Sequence, residues 1–315
     1  MSKDFKDQLL TEWKPEFVIS SGSLVLDRSD ALQSFKGIPS GTICHYYSPQ
    51  EGSYKTTFAL QGLSNIQKLG HKVAFVDAEC ALMDVNWVKG IGVDTSPDKW
   101  GLLIPESGEE ACDMVEWLLE QGYKGIVVDS IDAMTPQKQL ESEFGDSDIG
   151  THAKLITRFV RRLKNLVVKH NAIVWLINQE KINMTQMGVR GHKPTGGSAI
   201  MFYSKFNLEM KRTQSDNQSE GQKTIPLKLG VKRSKLGHSY IDVDTYAVQG
   251  TGIDLAGELV QLALDVGLIR KAGAWWRECA ELKEDEIVIG QGIDSAREWC
   301  FLNQEKILET INASV

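Results

Sequence analysis

The sequence predicts an α/β protein built on a mainly parallel, twisted sheet, with a small α+β unit after it and a short helical arm before it. Three observations carry this expectation. Runs that are apolar throughout, at 72–77, 125–129 and 172–178, alternate with amphipathic helical stretches, as strands covered on both faces do. Beyond Gly197 the pattern changes to period-two alternation over 205–212, 224–231 and 240–248, which adds further strands to the sheet. After Gly250-Thr251-Gly252 the signal becomes helical, then strand-rich, then helical again.

Taken in order, Phe5, Leu9, Leu10 and Trp13 share one face of a helix over 4–13 that Pro15 stops. A strand over 42–47, a helix over 55–69 and a strand over 72–77 follow. A helix over 109–120 leads to the strand 125–129. Leu155, Ile156, Phe159, Val160, Leu163, Leu166 and Val167 mark a long helix before the strand 172–178. Leu255, Leu259, Leu262, Ala263 and Val266 mark another, followed by strands around 275–289 and a final helix over 294–311. The expected units are an arm over 1–16, a core over 17–252 and a C-terminal unit over 253–315.

Composition narrows the class. The 315 residues carry 35 Lys and Arg against 42 Asp and Glu, a net charge of −7, with 42% hydrophobic residues and 8 prolines, which excludes disordered and collagen-like chains. The longest apolar run, Ala172 to Ile177, falls far short of the roughly 20 residues a bilayer requires, so no membrane partner is expected. Cys44, Cys80, Cys112, Cys279 and Cys300 form no C-x-x-C pair, arguing against a disulfide framework or zinc site and for a cytoplasmic location. Residues 181–235 hold 11 basic and 3 acidic side chains, a local +8 in an acidic protein. Such segregation reads either as a polyanion-binding face or as solvated loops.

The first long strand runs into Ser48-Pro49-Gln50-Glu51-Gly52-Ser53-Tyr54-Lys55-Thr56-Thr57 and then a helix. That order suits a phosphate-binding loop, in which backbone N–H groups and a helix N-terminus cradle phosphates, lysine neutralises them and Thr56 can hold Mg²⁺. Two departures from G-x-x-x-x-G-K-[ST] stand out: Tyr54 replaces the glycine before Lys55, a position with left-handed torsions, and no glycine opens the loop. Other strands end in Asp77-Ala78-Glu79, Asp129-Ser130 and Asn178-Gln179, which brings carboxylates and an amide to the carboxyl edge where open parallel sheets bind ligands. A strand-end aspartate can hold Mg²⁺ through water, and a nearby glutamate can orient the attacking water. A polar stretch over 180–193, expected as a loop, follows Gln179; contact with a terminal phosphate there would couple ligand to loop order.

These residues resemble the RecA family of homologous-recombination ATPases. The likeness runs from about Phe17 to Ile311. It is carried by Ser21-Gly22-Ser23-Leu24-Val25-Leu26-Asp27, Phe75-Val76-Asp77-Ala78-Glu79, Ile126-Val127-Val128-Asp129-Ser130, Gly145-Asp146-Ser147, Ile177-Asn178-Gln179, Thr195-Gly196-Gly197-Ser198-Ala199 and Leu268-Ile269-Arg270-Lys271-Ala272-Gly273. The aromatic before the loop lysine is similar to phage recombinases of the UvsX type. The arm is shorter than the bacterial family's oligomerisation domain.

The resemblance implies a RecA-like core with ATP and Mg²⁺ held by Lys55, Thr56 and the loop from Ser48. It implies Glu79 as activator of the hydrolytic water, Asp129 as second metal acid, Gln179 as γ-phosphate sensor, and Asp84 with Trp87 against adenine. Arg233 and Lys235 would reach a neighbouring subunit's nucleotide. DNA would lie on two loops, 141–150 and 180–198. Lys154, Arg158 and Arg161, with Arg162 beside them, flank the first. Lys181, Met184, Met187, Gly188, Val189, Arg190, Lys193, Thr195, Gly196, Gly197 and Ser198 belong to the second. The implied function is a DNA-dependent ATPase that forms a filament on single-stranded DNA and exchanges strands with homologous double-stranded DNA in recombination and repair. A catalytically weak DNA-binding or recombinase-regulating accessory protein, and a hexameric helicase of the same fold, stay open at this level.

Overall fold

A computed structural model describes residues 13–50, 52–82, 84–143, 150–184, 190–194, 198–213, 224–279 and 287–313, with backbone alone at 180–184, 190–194, 312 and 313. The core opens with β1 (Val18–Ile19), α1 (Leu24–Arg28), β2 (Ile38–Pro39) and β3 (Thr42–Ser48). Next come α2 (Lys55–Lys68), β4 (Val73–Asp77), α3 (Val85–Gly90), β5 (Trp100–Leu103), α4 (Gly108–Glu120), β6 (Gly125–Asp129), α5 (Gln137–Glu141) and α6 (Thr151–Lys169). They are followed by β7 (Ile173–Met184), β8 (Arg190–Pro194), α7 (Ser198–Tyr203), β9 (Phe206–Arg212), β10 (Thr224–Ser234), β11 (Ile241–Val248) and β12 (Gly252–Ile253). The remainder is α8 (Leu255–Asp265), β13 (Ile269–Ala272), β14 (Trp275–Glu278), β15 (Ile287–Gln291), α9 (Ile293–Leu302) and α10 (Gln304–Ala313). Most of the expected arm, 1–12, lies outside the described residues; Trp13 packs edge-on against Phe35 and lies beneath the Lys205 ammonium.

The main sheet runs β12-β11-β10-β9-β3-β7-β6-β4-β5. From β9 to β5 every neighbouring pair is parallel, while β9 through β12 are antiparallel. Alternate residues of each buried strand serve opposite faces. Tyr46, Phe75, Val127 and Trp175 join the cluster under α2, and Ile43, Val76, Val128 and Leu176 join the one under α4 and α6. Gly62 in α2 is a packing requirement, since a Cβ there would come within 2.5 Å of the Trp175 ring. A third apolar cluster, with Leu259, Ala263, Trp276, Cys300 and Ile307, holds α8 to α10 against β13-β14-β15.

The expected alternation of helices and parallel strands is present, and the three alternating runs extend the sheet. Two expectations change. The described parts of the polar stretch over 180–193 are paired strands at backbone level: 180–184 run antiparallel to 190–194, with Glu180 opposite Pro194 and Met184 opposite Arg190. Because β3 ends at Ser48 opposite Gln179, the rest of β7 has no strand on that side, and pairing with β8 satisfies its backbone groups. The final helix is two, because the Asn303 side chain turns back to the Trp299 carbonyl and the Asn303 carbonyl accepts from Ile307 at the start of the second helix. The short strand β5, half-buried along its whole length, has no alternation that marks it in the sequence.

Candidate functional site

Strand β3 delivers the chain to the loop 48–54, and α2 begins at Lys55. The Gln50 N–H donates to Ser48 Oγ at 3.0 Å, and Gln50 Oε1 accepts from the Arg212 N–H at 3.1 Å, tying the loop to the end of β9. Gly52 stands at φ 64° and Tyr54 at φ 65°, so both adopt the left-handed conformation. For a tyrosine that costs about 1–2 kcal/mol, offset by packing of its ring on the apolar cluster beneath α2. The tyrosine therefore does occupy the glycine-like torsion. Lys55 is buried, its Nζ donating to Ser53 Oγ at 3.1 Å, and Thr57 is buried two residues on. Pro49 is half-buried, and Glu51 lies outside the described residues.

The strand-end acids converge on this loop. Asp77 and Asp129 are register partners on β4 and β6. Thr56 Oγ1 donates to Asp129 Oδ2 at 2.6 Å, which joins the loop helix to the β6 terminus. Ser130 Oγ donates to Glu79 Oε1, and the N–H groups of Ala78 and Glu79 donate to the Asp129 carbonyl. Asp77 accepts from the Ala81 and Leu82 N–H groups, holding the turn that carries Glu79. Burial pushes the Asp129 carboxyl up to about 6; the Thr56 hydrogen bond opposes this, the charge of Glu79 adds to it, Lys55 opposes it and Asp77 adds. Gln179 stands opposite Ser48 in the β3–β7 register, at the same edge. Asp84 caps α3 by accepting from the Asn86 N–H at 2.8 Å, and Trp87 is half-buried against the apolar cluster. Both residues thus carry structural duties in the described protein.

The helix α6 buries Ile156, Phe159, Val160, Leu163 and Val167 and leaves Lys154, Arg158, Arg161 and Arg162 on its outer face. Those four cations line an open groove of about 640 Å³. Arg162 is held by Glu116; among the described residues no carboxylate pairs with Lys154, Arg158 or Arg161. Arg161 also lines a neighbouring groove of about 540 Å³ with Ser198, Phe202 and Arg233. There the Phe202 ring, 58% exposed, has the Arg233 guanidinium at 5.1 Å and the Lys235 ammonium at 5.8 Å from its centre. Lys235 Nζ donates to the Phe202 carbonyl at 3.0 Å and Arg233 Nη1 to the Met201 carbonyl at 3.3 Å.

Part of the basic excess is structural. Lys211 and Lys232 pair with Glu209, while Lys228 and Lys232 approach Asp242, so a charge lattice covers this part of the sheet. For Lys181, Arg190 and Lys193 only the backbone, on β7 and β8, is described. Met187, Gly188, Val189, Thr195, Gly196 and Gly197 lie outside the described residues, as does most of the loop 141–150. Sequence reasoning gave no role to Ser130, Phe202 or Arg212. Ser130 was visible only as the residue after a strand-end acid, and Phe202 only as one aromatic among many.

Hard oxygen donors at Thr56 and Asp129 fit a Mg²⁺ ion that keeps waters and shares phosphate oxygens. Among the described residues no group of three or more His, Cys, Asp or Glu could hold a metal, and such an ion requires none. No helix among the described residues is long and apolar enough to cross a membrane.

Comparison with known proteins agrees with this arrangement. The model of the RecA N-terminal domain matches residues 11–254. Protein RecA of Sulfurovum sp. (strain NBC37-1) is 36% identical over 290 residues, covering 91% of this chain and 79% of the relative. Protein RecA of Azospirillum lipoferum (strain 4B) is 33% identical over 299 residues, 95% and 79% of the two chains, and that of Bdellovibrio bacteriovorus is 34% identical over 294 residues, 92% and 74%. With that breadth of match over a loop, strand ends and sheet already arranged as described, the chain belongs to the RecA family of recombinases.

Proposed function

We propose that this protein is a DNA-dependent ATPase that polymerises on single-stranded DNA and promotes homologous pairing and strand exchange. The observation that carries the reading is the convergence of Lys55, Thr56, Glu79, Asp129 and Gln179 at one sheet edge, joined by the Thr56–Asp129 hydrogen bond. Residues 48–57 and Lys55 bind the triphosphate, and Thr56 and Asp129 hold Mg²⁺. When bound, ATP with Mg²⁺ supplies the transferable phosphoryl group and a cation that offsets its charge. The Glu79 carboxylate, oriented by Ser130, takes a proton from the attacking water. Gln179 contacts the terminal phosphate from β7, and the β7–β8 pair beyond it responds. Asp84 and Trp87 flank the adenine.

Arg233 and Lys235 act on the nucleotide of an adjacent copy, in the manner of an arginine finger, so hydrolysis follows assembly. The division into 17–252 and 253–315 separates this core from its C-terminal unit. Lys154, Arg158 and Arg161, with the β7 and β8 cations Lys181, Arg190 and Lys193, neutralise DNA phosphates without reading sequence. Met187, Gly188, Val189, Thr195, Gly196, Gly197 and Ser198 of the second loop contact the DNA. A catalytically weak accessory role is disfavoured, since lysine, threonine, glutamate and both acids of the site are all present. The test is ATP hydrolysis with and without single-stranded DNA. Stimulation in the parent and its loss in Lys55→Ala support the reading; equal rates with and without DNA, or a Lys55→Ala variant that matches the parent, refute it.

A further inference from the structure

Three polar side chains are sealed inside the sheet where β7, β3 and β9 lie side by side. His45, on β3, is fully buried, and so are Asn178 on β7 and Asn207 on β9. His45 Nδ1 lies 3.1 Å from Asn207 Oδ1, and its Nε2 lies 3.3 Å from Asn178 Nδ2. Asn178 Oδ1 accepts from the Gln179 N–H at 2.9 Å. At the other end Asn207 Nδ2 donates to the Met201 carbonyl at 3.3 Å, the same oxygen that accepts from Arg233 Nη1. Arg233 is also the β10 register partner of Asn207.

The pairing fixes the sense of every bond. Asn178 uses its amide nitrogen as donor to His45 Nε2, so that nitrogen must be bare, and the ring proton stands on Nδ1, where it donates to Asn207 Oδ1. The donors therefore all point one way, from Gln179 through Asn178, His45 and Asn207 to the Met201 carbonyl. Burial lowers the His45 pKa to about 4, so the ring stays neutral and the sense does not reverse near neutral pH. The ring's two hydrogen-bond partners, Asn207 and Asn178, and the Tyr47 ring stacked on it at 4.8 Å carry neither a carboxylate nor an ammonium. A polar chain of this kind inside an apolar sheet is costly unless every member is satisfied, and here each is.

We propose that His45 is a positioning residue that transmits the state of β7 at Gln179 to Arg233. Displacement of the Gln179 backbone on phosphate contact pulls on Asn178. Through His45 and Asn207 that shift alters the hold of the Met201 carbonyl on the Arg233 guanidinium. One copy's nucleotide thereby sets the cation that it offers to the next. This rests on the proposed roles of Gln179 and Arg233, but the protonation state of His45 does not.

Two measurements test it on the full chain. In protein labelled with ¹⁵N-histidine, one of the 6 histidines, assigned by its loss in His45→Gln, should carry its proton on Nδ1 and show no titration between about pH 5.5 and 8. A proton on Nε2, or titration in that range, overturns the chain. In DNA-stimulated ATP hydrolysis, His45→Gln should lower kcat about tenfold with KM within about twofold, while the double variant with Arg233→Ala should be no slower than Arg233→Ala alone. Independent multiplication of the two losses, or a folded His45→Gln with parental kcat, overturns the coupling. Asn207→Ser, which shortens the chain from its other end, should behave as His45→Gln does, and parental kcat there counts equally against it. If Arg233→Ala alone matches the parent, the finger role fails while the ring state still reports on the buried chain.

Discussion

The buried Asp129 carboxylate makes the nucleotide-free protein less stable as pH rises through the slightly acid range, and replacing it with asparagine should remove that dependence. Its folded pKa is raised from 3.8 to about 6. The folded state therefore holds the proton more tightly than the unfolded chain, so the favourable term is complete below about pH 4 and is lost as pH climbs to about 6. About two pKa units correspond to about 3 kcal/mol, or about 4–5 °C in melting temperature for a protein of this size. The asparagine amide oxygen would keep an acceptor for Thr56 without the ionisation. Melting curves of parent and Asp129→Asn, recorded without nucleotide or Mg²⁺, should nearly coincide at pH 4 and separate by pH 7, with the variant the more stable. Asp27, also pushed to about 6 by burial, titrates identically in both and cancels. A separation that is the same at both pH values refutes the reasoning.

Two further outcomes are expected. Lys154→Ala and Arg158→Ala should weaken single-stranded DNA binding equally on all sequences and reduce the slope of log affinity against log salt by about 0.7 each, measured by fluorescence anisotropy; an unchanged slope removes them from the DNA face. Glu258, buried on α8, accepts from Ser23 Oγ at 2.5 Å, Leu24 N–H at 2.6 Å and Thr245 Oγ1 at 2.6 Å, joining α8 to α1 and β11. Glu258→Ala strands three donors and should cost about 3–5 kcal/mol in a melting experiment, whereas a loss under about 1 kcal/mol would show that the site relaxes or hydrates.

The fold was legible where one residue type repeats with a fixed period. The runs 72–77, 125–129 and 172–178 had to be buried strands because their apolar residues serve both faces, and β4, β6 and β7 follow them closely. The order of strand ends also put Glu79, Asp129 and Gln179 at the sheet edge where the loop before Lys55 leaves β3. What stayed hidden depends on partners distant in sequence. The β7–β8 pairing exists because β3 stops opposite Gln179, which no local pattern reports. His45 sits in an otherwise apolar strand and acquires meaning only when Asn178 and Asn207 arrive from strands more than 130 residues away. The left-handed Tyr54 is legible only as a departure from a motif, because its compensation is the apolar cluster under α2.

The central claim is that one copy's pocket is completed by its neighbour's Arg233, and mixing two inactive variants tests it most directly. Lys55→Ala lacks a working pocket but retains the finger; Arg233→Ala lacks the finger but retains the pocket. On single-stranded DNA an equal mixture should recover about a quarter of parental ATP hydrolysis, the share of head-to-tail junctions that combine an intact pocket with an intact finger. A mixture no more active than either variant alone would contradict the account.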